Sequence, residues 1–345
     1  MRITQPAALT AGLAWMLFMA IGLSSIASAD TAASSLQQKS TDLLGGESRA
    51  ICYSGFRRGQ HPDRGAGAVN PSDDEILEDL KILIQHGFSL IRLYDSQTNS
   101  AAVLRLIHTH QLKQKVLLGA WLDAEVNNPG CTWQKEPYPK ELLDSNKLKN
   151  QKEVARSVAL ANQYPDIVVA VAVGNEALVS WNDHMVPVGS IIRYVRQVKQ
   201  SISQPVTVAD NYDWWAKQGV DLAKELDFVS VHIYPQWENK DIDEAIAYGI
   251  ANLEAVRKAL PDRRLVVTEA GWATTASEFG ARADEEKQKR YYHELFAWAG
   301  RMNITTFFFE AFDESWKGDP KDPLGAEKHW GIFTETRAPK RVMRP

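Results

Sequence analysis

Cysteine is nearly absent, with two in 345 residues. That excludes a disulfide-dense scaffold and a zinc site built on four thiolates. Charge of one sign is scarce too: 39 Lys and Arg stand against 43 Asp and Glu, a net charge of −4. A mildly acidic chain without a basic block gives no electrostatic case for a nucleic-acid partner. No G-x-G-x-x-G turn, P-loop or G-x-S-x-G elbow occurs, which sets aside the glycine-rich nucleotide sites and the α/β-hydrolase serine. His108 and His110, two apart on a helix pattern, point to different faces and make a poor metal pair. Beyond the N terminus, no stretch approaches the ~20 apolar residues a membrane span needs.

What is plentiful is aromatic: 11 Trp, 10 Tyr and 11 Phe. Planar rings with modest charge suit a neutral, ring-shaped ligand such as a carbohydrate, whose C–H face stacks on indole while its hydroxyls take polar neighbours.

Residues 1–29 read as a signal peptide. Arg2 gives a positive start, Ala7 to Leu23 is a mostly apolar run, and Ala27-Ser28-Ala29 offers small residues for cleavage. Removal leaves a mature chain that begins at Asp30, secreted or periplasmic, with no membrane association. Export makes a Cys52–Cys131 disulfide chemically allowed, but nothing in the sequence brings the two thiols together. Residues 30–49, rich in Ser, Thr and Gln, read as a flexible N-terminal arm.

From residue 50 to 345 strand and helix signals alternate as one domain. Strands are expected at Ile51–Gly55, Ser89–Tyr94, Lys115–Leu122, Ile167–Val173, Val206–Ala209, Phe228–Tyr234, Leu265–Thr268 and Ile304–Phe309. Between them, apolar stripes at helical spacing predict helices. One is opened by the capping-box pair Ser72 and Glu75, and another, over 147–163, precedes the fourth strand. Eight strands, each separated by a helix, in about 290 residues is the count of a (βα)8 TIM barrel.

In that fold, chemistry sits where the strands end. The fourth strand runs into Asn175-Glu176 and the seventh into Glu269, and strands three apart in a barrel can aim carboxylates at each other across the mouth. Glycoside cleavage needs such a pair: one acid protonates the leaving oxygen, and one carboxylate attacks the anomeric carbon. Asn175 would bond a sugar 2-hydroxyl. Arg92, on the second strand, would keep Glu269 ionised, since an adjacent cation favours the carboxylate. His232 and Tyr234 lie on one face of the sixth strand and would add hydrogen bonds. Trp121, Trp133, Trp181, Trp237, Trp272 and Trp316 fall in or beside strand-end loops; Trp298 reads as core, and at most one of Trp214 and Trp215 should face the site.

These residues resemble family 17 of the glycoside hydrolases, the β-1,3-glucanases and glucan transferases. The likeness is carried by Ile51-Cys-Tyr-Ser-Gly55, Ile91-Arg-Leu-Tyr-Asp95, Val173-Gly-Asn-Glu176, His232-Ile-Tyr-Pro235, Val267-Thr-Glu-Ala-Gly-Trp272, Glu310-Ala-Phe-Asp-Glu-Ser-Trp-Lys317 and the segment from Glu327 to Phe333. The resemblance implies a retaining enzyme on a TIM barrel, with Glu176 as acid/base and Glu269 as nucleophile. It implies that Asn175, Tyr53, Tyr94, Tyr234 and Trp272 lie around the cleaved bond, and that Glu310, Glu314 and Lys317 form a polar wall with Trp316 beside them. The Glu310–Lys317 segment looks like the bacterial and fungal branch. That branch leaves two activities open on one covalent intermediate: hydrolysis of laminarin-like β-1,3-glucan, or transfer to another glucan. A non-catalytic glucan-binding barrel is the remote alternative. No cofactor or metal is expected, and a monomer is.

Overall fold

The computed structural model describes residues 35–63 and 66–344. The segment read as a signal peptide lies outside them. Among the described residues no helix is long and apolar enough to cross a membrane.

Eight parallel strands close into a barrel in chain order: β1 Arg49–Cys52, β2 Leu90–Arg92, β3 Lys115–Ala120, β4 Val168–Asn175, β5 Val206–Asn211, β6 Val229–Ile233, β7 Leu265–Gly271 and β8 Thr306–Phe309. Pairing of β1 with β8 completes the ring. Outside it run α1 Asp73–Gln85, α2 Thr98–Thr109, α3 Lys140–Gln163, α4 Val188–Lys199, α5 Tyr212–Gln218, the single turn α6 Val220–Ala223, α7 Ile242–Ala259 and α8 Glu285–Met302. The TIM barrel expected from the alternation is the fold observed.

Local chemistry starts and stops these elements. At α1 the capping box forms: Ser72 N–H donates to Glu75 Oε2 at 2.8 Å, and Glu75 N–H to Ser72 Oγ at 3.3 Å. At α8, Asp284 Oδ1 accepts from Glu286 and Lys287 N–H, and Asn303 ends the helix with φ 52°. The helix expected over 147–163 begins seven residues earlier, at Lys140 after Pro139. Its first turns carry no apolar stripe. They are tied instead by Lys140–Asp144 and Lys147–Asp144 pairs and by Asn146 Nδ2 donating to the Ala124 carbonyl at 3.0 Å.

Strand alternation sorts side chains into two layers. Ala50, Cys52, Leu90, Leu117, Ala170, Ala172, Phe228, Val266 and Phe307 fill the barrel. Ile51, Ile91, Val116, Val171, Val206, Val229 and Val267 face the helices. Arg92 keeps the inward parity of Leu90. Glu269 is inward only because the register of β7 shifts against both neighbours, between Val267 and Ala270 on one side and between Val231 and His232 on the other.

One expectation changes here, and one open question closes. The arm over 30–49 is packed from residue 35 on, as far as it is described. Gln38 mimics a strand partner for β7: its Nε2 donates to the Leu265 carbonyl at 2.9 Å and its Oε1 accepts from Leu265 N–H at 2.7 Å. Leu44 is buried with the barrel-filling cluster, and β1 begins at Arg49. The polar composition hid this because the anchors are an amide side chain and two leucines, Leu36 and Leu44, without helical or strand spacing. Cys52 and Cys131 are both buried and free, so the disulfide that export would allow is not formed.

Candidate active site

The end of β4 is bent so that Asn175 and Glu176 reach the barrel mouth. Gly174 has φ 88°, a left-handed conformation that suits glycine, and a register shift between Ala172 and Asn175 accompanies it. Glu176 N–H then donates to the Ala209 carbonyl at 2.8 Å. Two residues on, Leu178 N–H donates to Oδ2 of Asp210 at 3.1 Å. Asp210 is fully buried, and burial, with the charge of Glu176 beside it, pushes its carboxyl well above the usual carboxylate range. Asn182 Nδ2 donates to the Glu176 carbonyl at 3.0 Å and to its Oε2 at 3.3 Å.

Glu269 faces Glu176 from β7. One oxygen of each carboxylate and a ring nitrogen of His232 all lie within 4.8 Å of one another. Arg92 Nη1 donates to Glu269 Oε1 at 2.7 Å, and the Tyr234 hydroxyl donates to Oε2 at 2.6 Å. Burial of Glu269 opposes its ionisation, but the ring N–H that His232 turns toward it, the Arg92 guanidinium and the tyrosine hydrogen bonding outweigh it and hold the carboxyl below its ordinary value. Arg92 is itself buried; Nη2 donates to Asn175 Oδ1 at 2.5 Å, and the guanidinium lies 4.6 Å from the centre of the Tyr94 ring.

His232 links the two acids. Its Nε2 lies 3.2 Å from Arg92 Nη1, which can only donate, so Nε2 accepts and Nδ1 carries the proton. Nδ1 lies 2.9 Å from Glu176 Oε1 and 3.5 Å from Glu269 Oε2. Among the described residues, these three also form a group whose ligand atoms lie close enough together to hold a metal ion. The imidazole nitrogen facing the carboxylates is the protonated one, and a guanidinium stands behind it; both features work against a cation there.

The β8 loop supplies an ionic wall. Lys317 pairs with Glu310 and lies 2.8 Å from Glu314 Oε2; Glu314 Oε1 accepts from Ser54 Oγ at 2.5 Å and from Phe56 N–H at 3.1 Å. Burial pushes Glu310 well above the usual carboxylate range although Lys317 opposes it. The wall reaches the surroundings of the carboxylate pair through Phe309, whose ring lies 4.6 Å from Lys317 Nζ and 5.8 Å from the Tyr234 ring centre. Trp316 packs edge-on against Phe56 at 5.8 Å.

The structure therefore gathers Glu176, Glu269, Arg92, Tyr94, Asn175, His232 and Tyr234, with Glu310, Glu314, Trp316 and Lys317 beside them. Two expected site residues lie elsewhere. Tyr53 shares the parity of Ile51 and packs in the helix-facing layer, its hydroxyl donating to Asp79 Oδ2 at 3.3 Å. Trp272 shares the parity of Ala270, is fully buried against Tyr291, and donates its indole N–H to the Arg282 carbonyl at 3.0 Å. Trp214 and Trp215 are both buried, as is Trp298.

Sequence reasoning missed Asn182, which sits in a loop with no pattern, and Glu327, which follows the last strand in a turn. Glu327 is half-buried. Burial, opposed by Lys317 and reinforced by the charges of Glu176 and Glu269, raises its carboxyl to about 7. Its signal was present in the Glu327–Phe333 likeness.

A carboxylate pair at the C-terminal mouth of a TIM barrel, one member clamped as an anion, defines the class of glycoside hydrolases. Comparison with known proteins gives the family. Residues 50–331 match the BtgE/BtgC glycoside hydrolase domain, and the chain belongs to that family. Among curated proteins it is 26% identical over 282 residues to a glucan 1,3-beta-glucosidase of Arthroderma benhamiae, covering 76% of this chain and 82% of that one. It is 24% identical over 301 residues to a probable glucan endo-1,3-beta-glucosidase btgC of Aspergillus clavatus, covering 79% of this chain but only 40% of that longer protein. Among solved structures, an endo-laminarinase from Formosa Hel1_33_131 superposes with TM-score 0.75 at 27% identity, covering 88% of this chain and 87% of that one. A family 17 β-1,3-glucanosyltransferase from Rhizomucor miehei shares the fold with TM-score 0.65 at 24% identity, covering 86% and 96%.

Proposed function

We propose that this protein cleaves β-1,3-glucan with retention of configuration, using Glu269 as nucleophile and Glu176 as acid/base. The observation that carries this reading is the approach of one oxygen of each carboxylate to within 4.8 Å of the other, too close to admit the water an inverting pair needs. Retaining glycosidases hold the pair about 5–5.5 Å apart, whereas inverting enzymes need about 6.5–9.5 Å to admit a water between. The relatives named as glucan 1,3-beta-glucosidase and endo-laminarinase support the substrate class.

The roles follow from the donors each acid receives. Arg92 and Tyr234 keep Glu269 anionic and aimed, so its carboxylate attacks C1. Neutral His232 donates from Nδ1 to Oε1 of Glu176, which leaves Oε2 to carry the transferable proton. As the C1–O bond breaks, that proton passes to the departing glucosyl oxygen, and a covalent glycosyl-enzyme remains. Glu176 then takes a proton from water, whose oxygen displaces Glu269 from C1. Asn175, oriented by Arg92, is available to the sugar 2-hydroxyl. The reading invokes no metal or organic cofactor and assigns the enzyme to the secreted or periplasmic space.

A time course on laminari-oligosaccharides and laminarin tests this. Shorter products with the β-configuration at the new reducing end are expected, and Glu269→Gln should abolish turnover while leaving the melting transition cooperative. Inverted product, or a fully active Glu269→Gln enzyme, removes the assignment. Products longer than the substrate would make the acceptor a glucan in place of water, and binding of laminarin without cleavage would leave only a binding barrel.

A further inference from the structure

The hydrogen-bond ladder between β4 and β5 stops short of the strand ends, and one buried side chain stands at the break. Glu176 N–H donates to the Ala209 carbonyl at 2.8 Å. In a parallel ladder two further bonds follow from that one: Asn211 N–H to the Glu176 carbonyl, and Leu178 N–H to the Asn211 carbonyl. Neither forms among the described residues. Asn211 N–H donates instead to Oδ1 of Asp210 at 2.8 Å, and Leu178 N–H to Oδ2 of the same carboxyl at 3.1 Å. The freed Glu176 carbonyl accepts from Asn182 Nδ2 at 3.0 Å. Asp210 thus takes both of the donors that a continuing ladder would use.

The diverted backbone is the piece that presents the acid. Successive residues of a regular strand point to opposite faces, yet Asn175 meets Arg92 and Glu176 Oε1 lies 2.9 Å from His232 Nδ1, both in the mouth. That double presentation requires the break. Glu176 accordingly has φ 46°, a left-handed conformation that a glutamate keeps only when its surroundings fix it. Downstream, Val186 N–H donates to the Ala177 carbonyl at 2.9 Å, and Asp210 holds the next residue, Leu178. Asp210 shares the outward parity of Val208 and is fully buried. No cation pairs with it among the described residues; the charges that reach it are those of Glu176 and Glu269, and with burial they raise its carboxyl. A carboxyl buried without a counter-ion is costly to a fold, so its place at this break points to the turn it closes.

Resting on the reading of Glu176 as acid/base, we propose that Asp210 is its positioning residue: by accepting the Asn211 and Leu178 N–H groups, it ends the β4–β5 ladder and turns Glu176 into the mouth beside Asn175. It acts through the backbone and exchanges no proton with substrate. The test compares kcat/KM of Asp210→Ala, Asp210→Asn, Glu176→Ala and the unmodified enzyme on laminari-oligosaccharides and on a dinitrophenyl β-laminaribioside. A sugar leaving group needs the proton of Glu176, whereas dinitrophenolate departs without one. Asp210→Ala should lose about 10²-fold on the oligosaccharides but under about threefold on the dinitrophenyl glycoside, the same kind of split as Glu176→Ala. Asp210→Asn, close in shape and with one acceptor left, should show the split at smaller size, and it carries the test where Asp210→Ala does not fold. Equal losses on the two substrates, or no loss on either, overturn the positioning role. Failure of the underlying reading is visible separately, as a Glu176→Ala enzyme without the split. In that event the crystal structure of Asp210→Asn or Asp210→Ala decides. Glu176 displaced from His232, with Asn211 N–H returned to the Glu176 carbonyl, supports the role; an unmoved Glu176 overturns it.

Discussion

Arg92 is the group on which the electrostatics of the site turn, and its removal makes a quantitative test. Its Nη1 lies 2.7 Å from Glu269 Oε1, and both side chains are buried. In the intact protein the ionised form of Glu269 is favoured by folding. Its contribution to stability is therefore complete above the unfolded carboxyl value of about 4.3 and is lost as pH falls through the lower folded value. Arg92→Met removes a cation of the kind that lowers a carboxylate by ~1–3 pK units, equivalent to about 1.4–4 kcal/mol. Burial then weighs more heavily against the ionised form of Glu269, so the stability it contributes shrinks and its loss begins at a higher pH. The acid limb of kcat/KM, which reports the free enzyme's essential base, should move upward by ~1–3 units. Loss of nucleophile alignment should lower the plateau by about 10²-fold. Breaking a buried pair costs about 3–5 kcal/mol, so rates are to be measured well below a separately recorded melting temperature. Arg92→Lys, which keeps the charge but cannot fork between Glu269 and Asn175, should leave the acid limb near its original place while still lowering the plateau. A folded Arg92→Met enzyme with an unmoved acid limb would refute the claim that this guanidinium keeps the nucleophile ionised.

Two further outcomes are expected. Glu176→Ala should lose activity on laminarin yet regain part of it on an activated aryl β-glucoside when azide is added. Azide replaces the water that Glu176 would otherwise activate, and the product is a glycosyl azide of retained configuration, identified by NMR; no rescue on any activated donor would count against the acid/base role. Arg337→Ala should act on stability. Arg337 Nε and Nη2 each lie 2.7 Å from an oxygen of fully buried Asp79, whose other cation is Arg57. Its loss should cost about 3–5 kcal/mol in thermal or denaturant unfolding, since a buried carboxylate is left under-paired. A change under 1 kcal/mol would mean that Arg57 alone satisfies Asp79.

The barrel and the identity of its acidic pair were legible in the linear chain because both depend on local, repeated patterns. Apolar runs of five or six residues alternating with amphipathic stretches specify strand and helix one after another, and a parallel array of eight closes in chain order. Ser72 and Glu75 announced their capping box, and the strand ends their carboxylates. What only the tertiary structure decided is where each side chain points once strict alternation fails. In β7 an irregular register turns Glu269 inward and, by the same shift, sends Ala270 and Trp272 to the helix side. Tyr53 kept the outward parity of Ile51 and met Asp79 instead of substrate. Gln38 and Leu44 lie in a polar segment with no period, yet Gln38 pairs with Leu265, more than 200 residues away, and Leu44 joins the cluster that fills the barrel. Asn182 and Glu327 reach the site from loops whose paths are set by long-range hydrogen bonds. Periodicity encodes the face of a regular element; bulges, loop trajectories and distant anchors belong to the closed ring as a whole, because the energies that select them exist only after its strands have met.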